Sequence, residues 1–182
     1  MTSLRILLLA ISMPIAAQSG VVQAQTTSHR QNPPAVLTVN APVKNLLEGY
    51  HNWTHRRLGS ASPDMIKTYM PFIDVYSPSG VSIYHGIGSA KNAAFIHALP
   101  NNIPHGKVAQ TDTARPTLQE AIDMFPELAT YKIKPASGNI YTIFAVTFPD
   151  NDQCKAQNDA MDQLKARAQN TGLRVIEVRI LK

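Results

Sequence analysis

The sequence contains very little cysteine, with Cys154 alone among 182 residues. Exported proteins that rely on cysteine for stability use it in pairs, so an intrachain disulfide is excluded and packing must stabilise the fold. Cys154 is therefore a buried apolar residue, a reactive thiol or the link in a disulfide-bonded dimer. The sequence leaves these three alternatives open.

Long apolar runs are also scarce, because the main one lies at the start, between Arg5 and the tripeptide Val22-Gln23-Ala24. A basic residue, an apolar run of about a dozen residues and a small-x-small ending are typical of a secretory signal peptide. We expect residues 1–24 to be removed and the protein to be periplasmic or secreted, most simply in a bacterium. No later run reaches the roughly 20 residues of a membrane-spanning helix, so we expect no transmembrane segment after cleavage.

The sequence has no cluster of like charges, although its formal net charge is +5. The basic residues are scattered and do not interleave with aromatic residues, which argues against nucleic acid as a partner. The sequence also lacks the H-E-x-x-H, G-x-S-x-G, phosphate-loop and dinucleotide-binding motifs. We therefore expect no cofactor, and the sequence favours a non-enzymatic role.

The remaining chain is long enough for one domain with a substantial hydrophobic core. Residues 25–42 are polar and contain prolines, and we expect a flexible leader there, followed by a single domain over residues 43–182. The spacing of apolar residues predicts a helix over 43–58 that ends at Gly59, and a short helical turn over 62–67.

A hairpin is predicted next, because two β-rich runs, 71–77 and 81–85, flank the turn-forming residues Pro78-Ser79-Gly80. We expect a helix over 90–99 after the hairpin. Further along, Thr117 and Glu120 have the spacing of a capping box, which predicts another short helix.

The end of the chain predicts a βαβ unit. Residues 140–148 and 173–181 are β-rich and apolar, and a helix is expected between them over 152–169. Such a unit implies parallel strands joined by a right-handed crossover. Together with the hairpin, it predicts a compact α/β domain whose mixed sheet has about four strands, with helices on both faces.

Two of these pieces resemble the halves of a thioredoxin fold. The run Asn151-Asp152-Gln153-Cys154-Lys155 opens a helix after a strand and is similar to the family's βαβ half, where C-x-x-C-K occupies that turn. Pro71, the hairpin and the next helix are similar to the other half, in which a cis-proline precedes the first strand. The halves occur in reverse order, so the resemblance implies a circular permutation. It also implies that Cys154 has the position of the resolving thiol and that Asn151 replaces the attacking cysteine.

The resemblance implies a thioredoxin-like module without a dithiol, which binds a protein or peptide partner in the periplasm through Pro71, Asn151 and Asp152. One alternative is a monothiol redox protein with Cys154 as its catalytic residue. The first helical turn favours a thiolate there, whereas the neighbouring Asp150 and Asp152 oppose one.

A second alternative is a periplasmic metal-binding factor. His51 and His55 are four residues apart on a predicted helix, which places two imidazoles on one face where zinc or copper could bind. A third ligand would have to come from another part of the chain, and the charges of Arg56 and Arg57 disfavour a cation.

Overall fold

The computed structural model describes residues 35–59, 71–101, 103, 115–135, 138–168 and 170–181. The predicted signal peptide, the first part of the predicted leader and the helical turn predicted over 62–67 lie outside these residues. Within the described ranges, no helix is both long enough and apolar enough to cross a membrane.

The described chain contains five strands and four α-helices. The strands are β1 (Val36–Pro42), β2 (Phe72–Tyr76), β3 (Ser82–Ile87), β4 (Tyr141–Thr147) and β5 (Leu173–Leu181). The helices are α1 (Val43–Leu58), α2 (Ser89–His97), α3 (Leu118–Asp123) and α4 (Lys155–Ala168). Two 3₁₀ helices, Pro126–Tyr131 and Asp152–Cys154, precede β4 and α4 respectively.

All five strands form one mixed sheet in the order β1-β5-β4-β2-β3. β1, β5 and β4 run parallel to one another, β2 runs antiparallel to β4, and β3 runs antiparallel to β2. This confirms the predicted hairpin and the predicted βαβ unit, in which α4 connects the parallel neighbours β4 and β5.

The prediction of about four strands is wrong, because the sheet has five. The additional strand, β1, falls within residues 25–42, where we expected a flexible leader. Leu37, Val39 and Ala41 are buried and alternate with exposed residues, which is the two-residue period of a half-buried strand. The alternating pattern includes only three buried apolar residues and follows two prolines. The polar composition of residues 25–42 therefore outweighed this short strand signal.

Helices cover both faces of the sheet, as expected. On one face, Leu46 and Trp53 of α1 and Leu118 of α3 share a core with Phe144 and Ile176 of the sheet. On the other face, residues of α2 and α4 pack against the opposite side of the same strands. The second core includes Ile96, Met161, Leu164, Val75, Ile143 and Val175.

Local sequence signals explain where two of the helices begin and end. α1 ends at Gly59, whose φ of 70° is left-handed and whose N–H donates to the carbonyl of His55. The predicted capping box is present at the start of α3, where the Thr117 hydroxyl accepts from the Glu120 N–H and the Glu120 carboxylate accepts from the Thr117 N–H. Glu120 also binds Arg57 through two hydrogen bonds of 2.9 Å, which join α1 to α3.

The backbone of α1 at Gly49 lies close to the end of α3. A Cβ atom at this position would overlap the carbonyl group of Met124, the residue that ends α3. Glycine therefore allows the helix backbone to rest directly on the backbone of its neighbour.

Candidate functional site

The candidate site surrounds the loop from β4 to α4, at the carboxyl end of the parallel strands, where ligands of α/β sheets commonly bind. Asn151 organises this loop. Its side-chain oxygen accepts from the N–H of Gln153 at 3.0 Å, and its carbonyl accepts from the N–H of Cys154 at 2.8 Å. Asn151 and Asp152 are both exposed. Asn151 therefore caps the 3₁₀ turn, a role that involves no thiol chemistry.

Cys154 lies beneath the loop with only 2% of its surface exposed. Burial raises the pKa of the Cys154 thiol above its ordinary value, so little thiolate forms near neutral pH. Because the thiolate is the attacking species in disulfide exchange, this geometry does not favour the monothiol alternative. The disulfide-linked dimer would need the sulfur at the surface, and it stays an untested prediction.

We expect Cys154 to react with iodoacetamide at least about tenfold more slowly in the folded chain than in urea, because the reagent needs an exposed thiolate. The measurement is the alkylation rate as a function of pH, with the unfolded chain as reference. Rapid alkylation of the folded chain near pH 7 would contradict this expectation and would restore the redox alternative.

A buried amide network connects Pro71 with the helix that follows Cys154. Asn92 and Gln157 are fully buried, and Asn92 Nδ2 donates to Gln157 Oε1 at 2.5 Å and to the carbonyl of Pro71 at 3.4 Å. Gln157 Nε2 donates to the carbonyl of Val146 at 3.1 Å. Asn92 lies in the first turn of α2, Gln157 lies in the first turn of α4, and Pro71 directly precedes β2. The network therefore joins the starts of these three elements close to Cys154. The peptide bond before Pro71 involves residue 70, so its geometry lies outside the described residues.

A polar cleft of about 350 Å³ opens beside the loop. Its wall includes the predicted site residues Asn151 and Asp152, whereas Pro71 and Cys154 do not line it. Four lining residues are acidic and two are basic, so the cleft has an excess of negative charge. The lining residues are Pro149, Asn151, Asp152, Lys155, Asn158, Asp159, Asp162, Glu177 and Arg179.

Glu177 is the most buried of the cleft residues that the sequence analysis did not place in a site. Its side chain is almost fully buried and accepts from Lys165 Nζ at 2.6 Å and from the Thr147 hydroxyl at 2.9 Å. Arg179 Nε lies 3.3 Å from the same carboxylate and also pairs with Asp162. A single acidic residue within the apolar β5 run was the available signal. These partners fix the carboxylate, so this wall of the cleft is preorganised.

The predicted metal ligands lie elsewhere, on the exposed side of α1. The His51 and His55 rings stack with centroids 6.2 Å apart and an interplanar angle of 5°. Within the described ranges, no group of three or more His, Cys, Asp or Glu side chains could hold a metal ion. The pair therefore has the shared face that the sequence predicted, without a third ligand from the described residues.

A buried acid–histidine pair occurs on the sheet face covered by α1. Asp74 of β2 is 1% exposed, and its carboxylate oxygen lies 2.7 Å from His85 Nδ1 on β3. Burial raises the pKa of Asp74, while the hydrogen bond to His85 and the charge of Arg115 oppose that rise. The signal for this pair in the sequence is a charged residue, Asp74, inside the short apolar run of β2.

We expect Asp74 to make the fold less stable as pH rises. Because its pKa is higher in the folded state than the ordinary 3.8, the folded chain binds more protons than the unfolded chain between the two pKa values. The free energy of unfolding should therefore fall as pH rises through that window, and Asp74→Asn should remove this fall. Urea denaturation between about pH 4 and pH 6 measures the difference, with the exposed Asp123→Asn as control. If the free energy of unfolding changed with pH in the same way for wild type and Asp74→Asn, the expected role of Asp74 would be contradicted.

Of the sequence-predicted residues, Asn151 and Asp152 form part of one cleft, Cys154 lies beneath it and Pro71 is tied to the same region through Asn92 and Gln157. Comparison of the chain with protein-family models, curated proteins and solved structures finds no match. The chemistry of this region is therefore the basis for the functional conclusion.

Proposed function

We propose that the chain is an exported thioredoxin-like module without a dithiol active site, and that it binds a protein or peptide partner at the cleft beside the β4–α4 loop. The export part of the proposal depends on the signal-peptide pattern of residues 1–24. The rest depends on the topology of the sheet, the burial of Cys154 and the charges of the cleft.

The sheet topology supports a permuted thioredoxin-like core. Four neighbouring strands, in the order β5-β4-β2-β3, combine a parallel βαβ unit with an antiparallel hairpin that is followed by a helix. The hairpin unit comes first in the chain, so the two halves are joined in the reverse of the family's order. α2 and α4 pack on one face of these strands, as the helices of the two halves would.

The buried state of Cys154 is the observation that carries the proposal. The chain has no second cysteine, and this one is 2% exposed with a raised pKa. A scaffold of this kind lacks both the pair of thiols and the exposed thiolate that disulfide exchange requires. This state of Cys154 favours non-covalent binding over thiol chemistry at this end of the sheet.

The cleft determines the class of partner. Its four carboxylates outnumber its two cationic side chains, and Asn151 and Asn158 add polar groups to its wall. Asp159 pairs with Lys155 at 2.7 Å, and Asp162 and Glu177 pair with Arg179 at 3.3 Å and with Lys165, which does not line the cleft, at 2.7 and 2.6 Å. Asp152 is exposed and forms no ion pair with the described residues, so it carries the negative charge that is left in excess at the cleft. We therefore infer that the partner presents a basic, hydrogen-bond-donating segment.

The test uses the mature chain from Gln25 and two fluorescein-labelled peptide libraries of equal length, one rich in lysine and one rich in glutamate. Fluorescence anisotropy should show binding of the basic library and none of the acidic library. Asp152→Lys should weaken binding by about tenfold, because it replaces attraction with repulsion at the cleft edge. Asp123→Lys, which makes the same charge change in α3, is the matched control and should bind normally.

Cys154→Ser distinguishes the binding proposal from the redox alternative. We expect unchanged peptide affinity in this variant, and no acceleration of insulin disulfide reduction by the wild-type chain. Loss of binding in Cys154→Ser while its thermal melting is unchanged would overturn the proposal, and so would equal affinity for the two libraries.

A further inference from the structure

β1 is an edge strand of the sheet that the described residues form. Its seven residues pair with β5 alone, and nothing in the described part of the chain pairs with its other side. A strand edge presents a row of backbone donors and acceptors that another strand can satisfy. The partner that fits this edge is therefore a second extended strand, which can form hydrogen bonds with these backbone groups.

The register with β5 shows which backbone groups are free. The N–H of Val175 donates to the carbonyl of Ala35, and Val36 is the register partner of Val175. In a parallel pair, alternate residues direct both their N–H and C=O to the neighbouring strand, so Leu37 and Val39 face β5. The N–H and C=O groups of Val36, Thr38 and Asn40 consequently point away from the sheet.

β1 lacks the features that normally protect an edge. It has no charged residue, no bulge in its pairing with β5, and no proline before Pro42 at its end. The opposite edge strand, β3, pairs with β2 through an irregular register at Val75 and Tyr76. Irregular registers discourage edge pairing, so β1 is the edge that favours association.

Exposed apolar side chains lie at one end of this edge. Val43 and Leu47 of α1 are 39% and 41% exposed, and Leu181, the register partner of Pro42, is 38% exposed. They are three of the five large apolar residues found exposed in the described chain. Val43 directly follows β1 and Leu47 lies one turn into α1, so these two side chains add exposed apolar surface near the C-terminal end of β1, whereas Leu181 lies on the inner neighbour β5.

We propose that β1 pairs antiparallel with β1 of a second copy of this chain, forming a two-fold dimer with one continuous ten-stranded sheet. The centre of the seven-residue strand is Val39, so Thr38 of each copy lies opposite Asn40 of the other. A symmetric pairing brings like residues close together, and a strand without charges avoids the repulsion this would otherwise cause. The two-fold axis is perpendicular to the sheet, so it also places both α1 helices on the same face of the ten-stranded sheet.

Sedimentation equilibrium of the mature chain over two decades of concentration, up to the highest soluble concentration, tests the dimer. We expect a reversible monomer–dimer equilibrium. Thr38→Lys with Asn40→Lys places lysines opposite each other in two symmetric pairs and should weaken the dimer by about tenfold or more. Thr38→Lys with Asn40→Glu makes the same two pairs attractive and should preserve it.

Amide hydrogen exchange supplies a test that needs no variant. The amides of Val36, Thr38 and Asn40 should become protected as concentration rises, whereas those of Leu37 and Val39 should already be protected by β5.

Gln163→Lys with Ala166→Lys, at exposed positions of α4, is the control for the charge added by the two lysines in β1. A wild-type chain that stays monomeric throughout, a dimer in which the outward amides exchange freely, or a dimer indifferent to the two lysines would each overturn the proposal.

Discussion

Replacing Gly49 with alanine should destabilise the fold by about 2 to 3 kcal/mol and lower Tm by roughly 5 to 10 °C. The same change within an ordinary helix stabilises it by about 1 kcal/mol, because alanine has the higher helix propensity. The sign reverses here because a Cβ atom at Gly49 would overlap the carbonyl of Met124. Backbone atoms cannot rotate away as a flexible side chain can, so α1 would have to move off α3.

Urea denaturation of Gly49→Ala measures this effect. The exposed His51→Ala and Lys44→Ala, on the same helix, are the controls and should change stability by less than about 0.5 kcal/mol. A Gly49→Ala chain as stable as wild type, or more stable, would show that α1 and α3 do not approach each other as described.

Replacing Gln157 with leucine should cost about 3 kcal/mol, although the two side chains have similar volumes. The buried amide of Gln157 bonds to Asn92 and to the carbonyl of Val146, and leucine would leave both groups without this partner. Each buried polar group left unpaired costs about 1 to 3 kcal/mol. Gln157→Leu should also loosen the loop that carries Asn151, because the network fixes the first turns of α4.

A double-mutant cycle separates the network from packing. The exposed Gln163→Leu on the same helix should be nearly neutral. Asn92→Leu combined with Gln157→Leu should cost less than the sum of the two single changes, because removing both partners leaves fewer unpaired groups. Additive losses in urea denaturation would mean that the amide–amide bond contributes nothing.

Much of the secondary structure could be predicted from the sequence because its signals are local. Gly59 ends α1 by adopting a left-handed conformation, and Thr117 and Glu120 form the capping box that their spacing predicted. The β-rich, apolar run over 140–148 predicted the strand that forms β4. β1 was missed because its stability comes from β5, more than a hundred residues later, and not from its own composition.

The candidate site was only partly predictable. Asn151 and Asp152 could be placed because they open a helix after a strand, which sequence shows directly. The partners of Glu177 and Gln157 could not be placed, since Thr147, Lys165 and Asn92 meet them only once the sheet has formed. The burial of Cys154 likewise depends on packing, and the sequence left its chemistry open.

The pairing of the first strand with the last determines when this chain can finish folding. β1 needs β5, and the hydrogen bond from Thr38 to Glu177 spans 139 positions. Contacts so distant along the chain form late, and the parallel trio β1, β5 and β4 cannot assemble until the C-terminal residues have left the ribosome. The export that we propose for this chain would be served by this delay, because a chain whose sheet waits for β5 stays unfolded and translocation-competent until β5 has been synthesised.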